Sequence, residues 1–313
     1  MSARAWALFG AVSVIWGMPY LFIKIAVDEI SPSLMAWSRL ALAAAVLLPL
    51  AWRLGALRGL GERWRILALF AAVEMAVPWP LLGFGEVHVS SSFAAILIAA
   101  VPLFVALIAT RFDHSERPTA TRLVGMLIGF AGVVALVGID IGGKGDELLG
   151  ALAILVVAFL YAIGPMIVKR RLSDVDPLGP VAASLGIAAL LVTPFAAADL
   201  PDSVPSADTL ASVAVLGLLC SALAFLLFFR LIAEVGPGKA TVITYINPVV
   251  ALALGVAILD ESVTTGVVVG LLLILAGSWL STDGRLPPGL AGLAQRVRGR
   301  GAARASEAPS QAN

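Results

Sequence analysis

Residues 15–32 read IWGMPYLFIKIAVDEISP, and residues 160–177 read LYAIGPMIVKRRLSDVDP. The two stretches align without a gap at an offset of 145 residues: Trp16 falls on Tyr161, Lys24 on Lys169 and Pro32 on Pro177. At the same offset Glu116 falls on Glu261, Gly125 on Gly270 and Gly132 on Gly277. With one residue of slippage, Ala94 falls on Ala240 and Pro102 on Pro248. Coincidences in one order and at one offset argue that the chain consists of two copies of one unit.

Apolarity says what the unit is. The chain has 313 residues, 60% hydrophobic and 13% charged, with a net charge of +1 and a mean hydropathy of +1.00. Soluble domains carry about 25% charged residues, so a soluble enzyme, a disordered chain and a nucleic-acid binder are excluded. Ten apolar segments recur, near residues 5–25, 32–52, 66–85, 90–110, 120–139, 148–168, 177–198, 209–229, 240–259 and 263–282. Each is close to the ~20 residues that a helix needs to cross a bilayer core of about 30 Å. The first follows only Met-Ser-Ala-Arg with no small-residue cleavage site, and reads as a retained helix. The expected fold is all-α: a polytopic membrane protein with five helices in residues 1–140 and five in 146–282. Residues 283–313 read as a disordered, basic tail.

Lys and Arg concentrate on the cytoplasmic side of membrane proteins. With a cytoplasmic N-terminus, 18 of the 21 basic residues fall inside, Lys24 and Lys144 fall outside, and Arg39 lies within a segment. Both termini are then cytoplasmic, in the cytoplasmic (inner) membrane. Five is odd, so the two copies cross the membrane in opposite senses. Inverted repeats of this kind build many secondary transporters, with the substrate near the midplane and broken helices around it.

Trp16-Gly17 followed by Lys24, Pro32 and Ser38-Arg39-Leu40 resembles the start of an EamA-type repeat. So do Pro102 with Glu116 to Gly132, and the copy running from Pro248 through Glu261 to Gly277. The chain is similar over residues 5–282 to the EamA-type transporters of the drug/metabolite transporter superfamily. The resemblance implies ten helices in two inverted repeats and transport of a small metabolite, commonly export of an amino acid or related compound. The second copy departs from the first with Tyr161-Ala162 in place of Trp-Gly and Ser184 in place of Arg39.

Several residues are candidates for the transport path. Pro19, Pro78, Pro102, Pro165 and Pro248 are expected to break their helices, because an interior proline removes a helix hydrogen bond. Glu74 sits near the middle of the third segment, where an ionisable group marks function by default. It suits proton coupling or a substrate ammonium; a buried structural hydrogen bond is the plainer alternative. Trp16, Tyr20, Trp79, Tyr161, Tyr245 and Asn247 complete a candidate substrate cavity, since such cavities are mostly aromatic with a few placed polar groups. Arg39 is expected to snorkel to the head groups, with a pair to Glu74 as the alternative. Glu116 and Glu261 precede the fifth and tenth segments and suit those helix N-termini. Glycines at Gly125, Gly129 and Gly132, and at Gly266, Gly270 and Gly277, give close-packing faces, within one chain or in a homodimer.

No disulfide framework or metal site is expected. Cys220 is the single cysteine, and His88 and His114, the only histidines, fall at opposite faces. There is no phosphate-binding GxxxxGK[ST] loop, and no cofactor is expected. The expected partners are a small-molecule substrate and the lipid bilayer. The competing reading, a polytopic enzyme acting on a lipid-linked substrate, needs clustered acids at one face, and those here are scattered through loops.

Overall fold

The computed structural model describes residues 2–112, 120–140, 145–236 and 240–283. His114, Glu116, Arg117, Lys144, Lys239 and the tail beyond Asp283 lie outside the described residues. The helical segments are α1 (Ala3–Val27), α2 (Pro32–Arg53), α3 (Gly61–His88), α4 (Ser91–Ile108), α5 (Ala120–Asp140), α6 (Gly145–Arg171), α7 (Leu178–Ala198), α8 (Ala207–Val235), α9 (Val242–Leu259) and α10 (Thr265–Asp283). Among the described residues, α1 to α9 are long and apolar enough to cross a membrane, and α10 contains a shorter apolar helix, Thr265–Ser281. There is no strand among them. The protein is a polytopic all-α membrane protein, as its composition requires. Leu127, Leu190 and Leu272, more than 60% exposed, show a surface made for lipid.

Local sequence sets the helix starts. Ser31, Ser90 and Ser206 each accept a bond from the backbone N–H three residues on, at 3.2 Å, which satisfies one of the open donors of a first turn. Pro32 then occupies the first turn of α2, where its missing N–H costs nothing.

Prolines shape four spans as expected. Pro19 opens the second half of α1 after a kink at Met18. Pro102 follows a turn at Ala99 and Ala100 in α4. Pro248 follows a 3-10 stretch, Thr241–Tyr245, at the start of α9. Pro78 follows a π-helical stretch, Ala72–Ala76. Pro78 has no N–H to donate to the Glu74 carbonyl, and just before it the Val77 N–H donates five residues back to the Ala72 carbonyl, at 3.1 Å. A second π-helical stretch, Val215–Leu223, lies in α8. Pro165 departs from expectation. α6 runs through it unbroken, and its ring is exposed on the bundle surface rather than facing a cavity.

The broadest helix contacts are α5 with α10, α3 with α6, α2 with α7 and α1 with α8. The glycine faces of α5 and α10 meet each other: Gly277 lies against Gly125 and Gly129, and Gly132 against Leu273 and Ile274. These faces, considered above for a homodimer, are therefore occupied within the chain. One large apolar cluster surrounds Ile96, Leu97 and Ile154, and another surrounds Leu40, Leu47 and Leu185. Tyr161 packs against both.

Glu261 corrects one expectation. It precedes α10, but its carboxylate accepts from the Ser91 N–H at 2.8 Å, the Ser92 N–H at 3.1 Å and the Ser92 hydroxyl. It thus caps α4, while Thr264 accepts from the Val267 N–H at the start of α10. At the opposite end of the bundle, Arg63 forks onto Asp174 at 2.5 and 2.6 Å. That bond holds the exposed Asp174 carboxyl down at about 2, so the pair persists until pH falls into that range.

Candidate functional site

A chain of polar and aromatic contacts crosses the interior of the bundle at mid-depth. It starts at Trp16 in α1, whose indole N–H donates to the Cys220 carbonyl at 3.2 Å, inside the π-helical stretch of α8. That stretch leaves the α-helical hydrogen-bond ladder irregular, and the Ser221 hydroxyl donates to the Leu216 carbonyl five residues back, at 2.9 Å. The Ser221 oxygen also accepts from the Arg39 Nε at 2.9 Å. The Arg39 guanidinium lies over the Trp79 ring, its Cζ 3.8 Å from the centroid. Trp79 adjoins the Tyr161 hydroxyl, and Tyr161 has Glu74 as its electrostatic neighbour.

Arg39 therefore neither snorkels nor pairs with Glu74. It is 7% exposed, and among the described residues the ion pairs are Arg4 with Glu234 and Arg63 with Asp174. Its charge is held by a ring quadrupole and a hydroxyl dipole. Tyr20, Tyr161, Cys220 and Glu86 stand around it.

Glu74 lies midway along α3 in the π-helical stretch. Its Oε2 is buried without a hydrogen-bond partner among the described residues. The opposing helix makes room for it with a glycine: a Cβ built on Gly164 of α6 would lie 1.8 Å from that oxygen. Gly164→Ala is thus expected to displace the Glu74 carboxyl while the flexible side chain absorbs the clash. The measurement is solute flux in vesicles beside thermal unfolding; flux is expected to fall at least tenfold with little loss of stability.

Of the expected cavity residues, Trp16, Tyr20, Glu74, Trp79 and Tyr161 are brought together. Tyr245 and Asn247 stand apart. The Tyr245 hydroxyl donates to the Ser278 carbonyl at 3.3 Å and its ring packs on Trp279 of α10. The Asn247 amide nitrogen donates to the Ile243 carbonyl at 2.9 Å and the Ser13 carbonyl at 3.1 Å. These two residues tie the broken start of α9 to its neighbours. Arg39's stacked burial, Ser221 and Gly164 were not picked out by sequence reasoning, because each depends on which helix stands opposite. Glu86 is a fourth addition: it is fully buried, and neither carboxyl oxygen has a partner among the described residues.

A separate cavity of about 610 Å³ opens at the Lys24 end of the bundle, lined among others by Lys24, His88, Asp140, Glu147 and Glu261. No group of three or more metal-ligating side chains occurs among the described residues.

Comparison with known proteins agrees with this architecture. Residues 4–138 and 148–282 both match the EamA-like transporter family. The chain is 33% identical over 270 residues to the uncharacterized inner membrane transporter YedA of Escherichia coli K12, covering 82% of this chain and 84% of that one. It is 29% identical over 282 residues to a probable terminal-alkyne amino-acid exporter of Streptantibioticus cattleyicolor, covering 90% and 93%. A solved crystal structure superposes with a TM-score of 0.63 at 19% identity, over 90% of this chain and 97% of that one, which is a likeness of fold. With a match in each half and an aligned transporter along most of its length, the chain belongs to the EamA-like transporter family.

Proposed function

We propose that the protein is a secondary transporter that exports an amino acid or closely related zwitterion by alternating access, with both termini in the cytoplasm. The observation that carries this is a pair of mismatched charges in the bundle interior. Arg39 is a buried cation with no carboxylate partner among the described residues, and Glu74 is a buried carboxyl with an unpartnered oxygen. Isolated buried charges are costly, and a zwitterion supplies one of each sign. Its carboxylate suits the free edge of a guanidinium. Its ammonium suits Glu74 and the faces of Trp79 and Tyr161. The Streptantibioticus relative is named as an amino-acid exporter, which supports the substrate class and the direction.

The repeat supports the mechanism. The offset of 145 residues carries Pro49 of α2 onto Pro194 of α7, both inside their helices. It also carries the π-helical stretch of α3 into that of α8. The broad contacts α2–α7 and α5–α10 each join a helix to its own copy. Exchange of the two halves therefore maps these contacts onto themselves, as two alternating states of opposite orientation require. The copies differ at the centre, where Leu219 stands at the position of Glu74, so charge handling falls to the first half.

The test is reconstitution in liposomes with a panel of radiolabelled amino acids. Saturable flux of at least one, lost in Trp16→Ala and Tyr161→Ala variants that still fold, is the expected result. No flux of any, or parent-like flux in both variants, overturns the proposal. If Glu74 couples protons, Glu74→Gln retains exchange of internal for external substrate but loses stimulation by a pH gradient. An unchanged response to the gradient refutes that role.

A further inference from the structure

The sequence places Glu86 just past the end of an apolar segment, where a charge marks the membrane surface. The structure places it inside. Its side chain is fully buried and both oxygens lack partners among the described residues. Glu86 lies twelve residues beyond Glu74 on the same helix, about 18 Å along the axis at 1.5 Å per residue.

Its surroundings form a latch. The Lys24 ammonium of α1 donates to the Glu86 backbone carbonyl at 2.6 Å and the Val89 carbonyl at 3.2 Å. These belong to the end of α3, where carbonyls lack helical partners and attract a cation. Three residues on, Glu261 from the second half holds the first N–H groups of α4. The α3–α4 corner is thereby clamped by a cation on one side and an anion on the other. Lys24 and Glu261 both act electrostatically on the Glu86 carboxyl, as does Arg39 of α2. Tyr20 of α1 is a further neighbour. His88 of α3 and Glu147 of α6 line the adjoining cavity with Lys24.

Lys24 is thus positioned between two kinds of acceptor: the backbone carbonyls it holds now and the carboxyl of the same residue, Glu86. With a proton on Glu86, the carboxyl is neutral and Lys24 stays on the carbonyls. When the proton leaves, an ionised carboxylate stands in an apolar interior beside an ammonium on a flexible four-carbon stem. Forming the pair is then strongly favoured over leaving the charge uncompensated. The ammonium must leave the carbonyls to do so, and one side of the clamp opens.

We propose that Glu86 is a proton-binding site of the transport cycle, and that its deprotonation transfers Lys24 from the α3 carbonyls to the Glu86 carboxylate, unlatching the α3–α4 corner. This deepens the transporter reading and rests on it. The proton is the ligand and no other co-reactant is needed; Lys24, beside Glu86, lines the cavity that opens at this end of the bundle.

The test is infrared difference spectroscopy of the full-length protein in lipid across an acid-to-alkaline pH series, read at the C=O stretch of protonated carboxyl groups. The parent is expected to lose a carboxyl band as pH rises, and Glu86→Gln to lack that component while Glu74→Gln keeps it. In Lys24→Met the ionised form loses the ammonium as counter-charge and keeps only the Arg39 guanidinium, which Trp79 and Ser221 hold, and the band persists to more alkaline pH. A Glu86→Gln difference spectrum that superimposes on the parent's overturns the proposal. If that variant fails to fold, a Lys24→Met titration identical to the parent's does the same. The readout needs no substrate. A missing Glu86 band leaves the transporter reading standing, and absent flux leaves the spectroscopic result intact.

Discussion

Gly277→Ala is expected to destabilise the protein by about 3 kcal/mol or more, at the upper end of what overpacking costs. A Cβ at Gly277 would lie 2.3 Å from the Gly129 nitrogen, 2.4 Å from its Cα and 2.6 Å from the Gly125 carbonyl oxygen. All three are backbone atoms of α5, so no side chain can rotate away and the helices must separate. Separation is costly because lipid tails are as apolar as side chains; association within the membrane depends on close van der Waals contact. The same seam holds Gly125 against the Ser281 nitrogen and Gly270 against Leu136, so movement at one point loosens several others. The measurement is the unfolding midpoint in detergent, with Gly138→Ala on the facing helix α5 as control. Nothing lies within 4 Å of a Cβ at Gly138, and alanine there is expected to be neutral or to stabilise by about 0.5–1 kcal/mol. Equal midpoints for the two variants would refute the argument.

Much of this architecture was legible in the sequence because a bilayer imposes simple rules. Segment length, apolarity and the repeat offset are all one-dimensional signals. Four of the five candidate proline breaks followed from a missing N–H, which needs no knowledge of neighbours. What escaped were features defined by a partner. Glu86 fell one residue outside the segment estimated at 66–85, where an acid is unremarkable; α1 and α6 packing over the end of α3 is what buries it. Arg39 read as a snorkelling residue because the alternative required α3 to present Trp79 and α8 to present Ser221. Gly164 carries no signal of its own in the sequence, since its role is the space it leaves for Glu74 on the opposing helix. Tyr245 and Asn247 erred the other way. Polar groups beside a broken helix suggested a cavity, but Asn247 turns to the Ile243 carbonyl at the break and to the Ser13 carbonyl of α1.

Arg39→Met is expected to lower transport at least tenfold while leaving stability unchanged or raised. The guanidinium gains about 2 kcal/mol from a desolvated stack on an aromatic ring, and about 1.5–3 kcal/mol from a charge-assisted hydrogen bond. Against this stands the effective penalty of several kcal/mol for burying an ion. The terms nearly cancel, and methionine refills most of the volume with an adaptable apolar chain. A residue kept for stability would not be held at such a balance; a residue kept to meet a substrate carboxylate would, since the missing counter-charge arrives with the ligand. Activity traded against stability in this way marks functional sites. The measurement pairs the unfolding midpoint in detergent with amino-acid flux in liposomes. A large loss of midpoint would make Arg39 a structural tie between α2, α3 and α8. Parent-like flux would remove it from the site. Arg39→Lys separates charge from shape: lysine keeps the cation but lacks the planar guanidinium that sits over Trp79 while its Nε–H bonds Ser221. Flux is therefore expected to stay low in Arg39→Lys, with the deficit in substrate affinity rather than in folding.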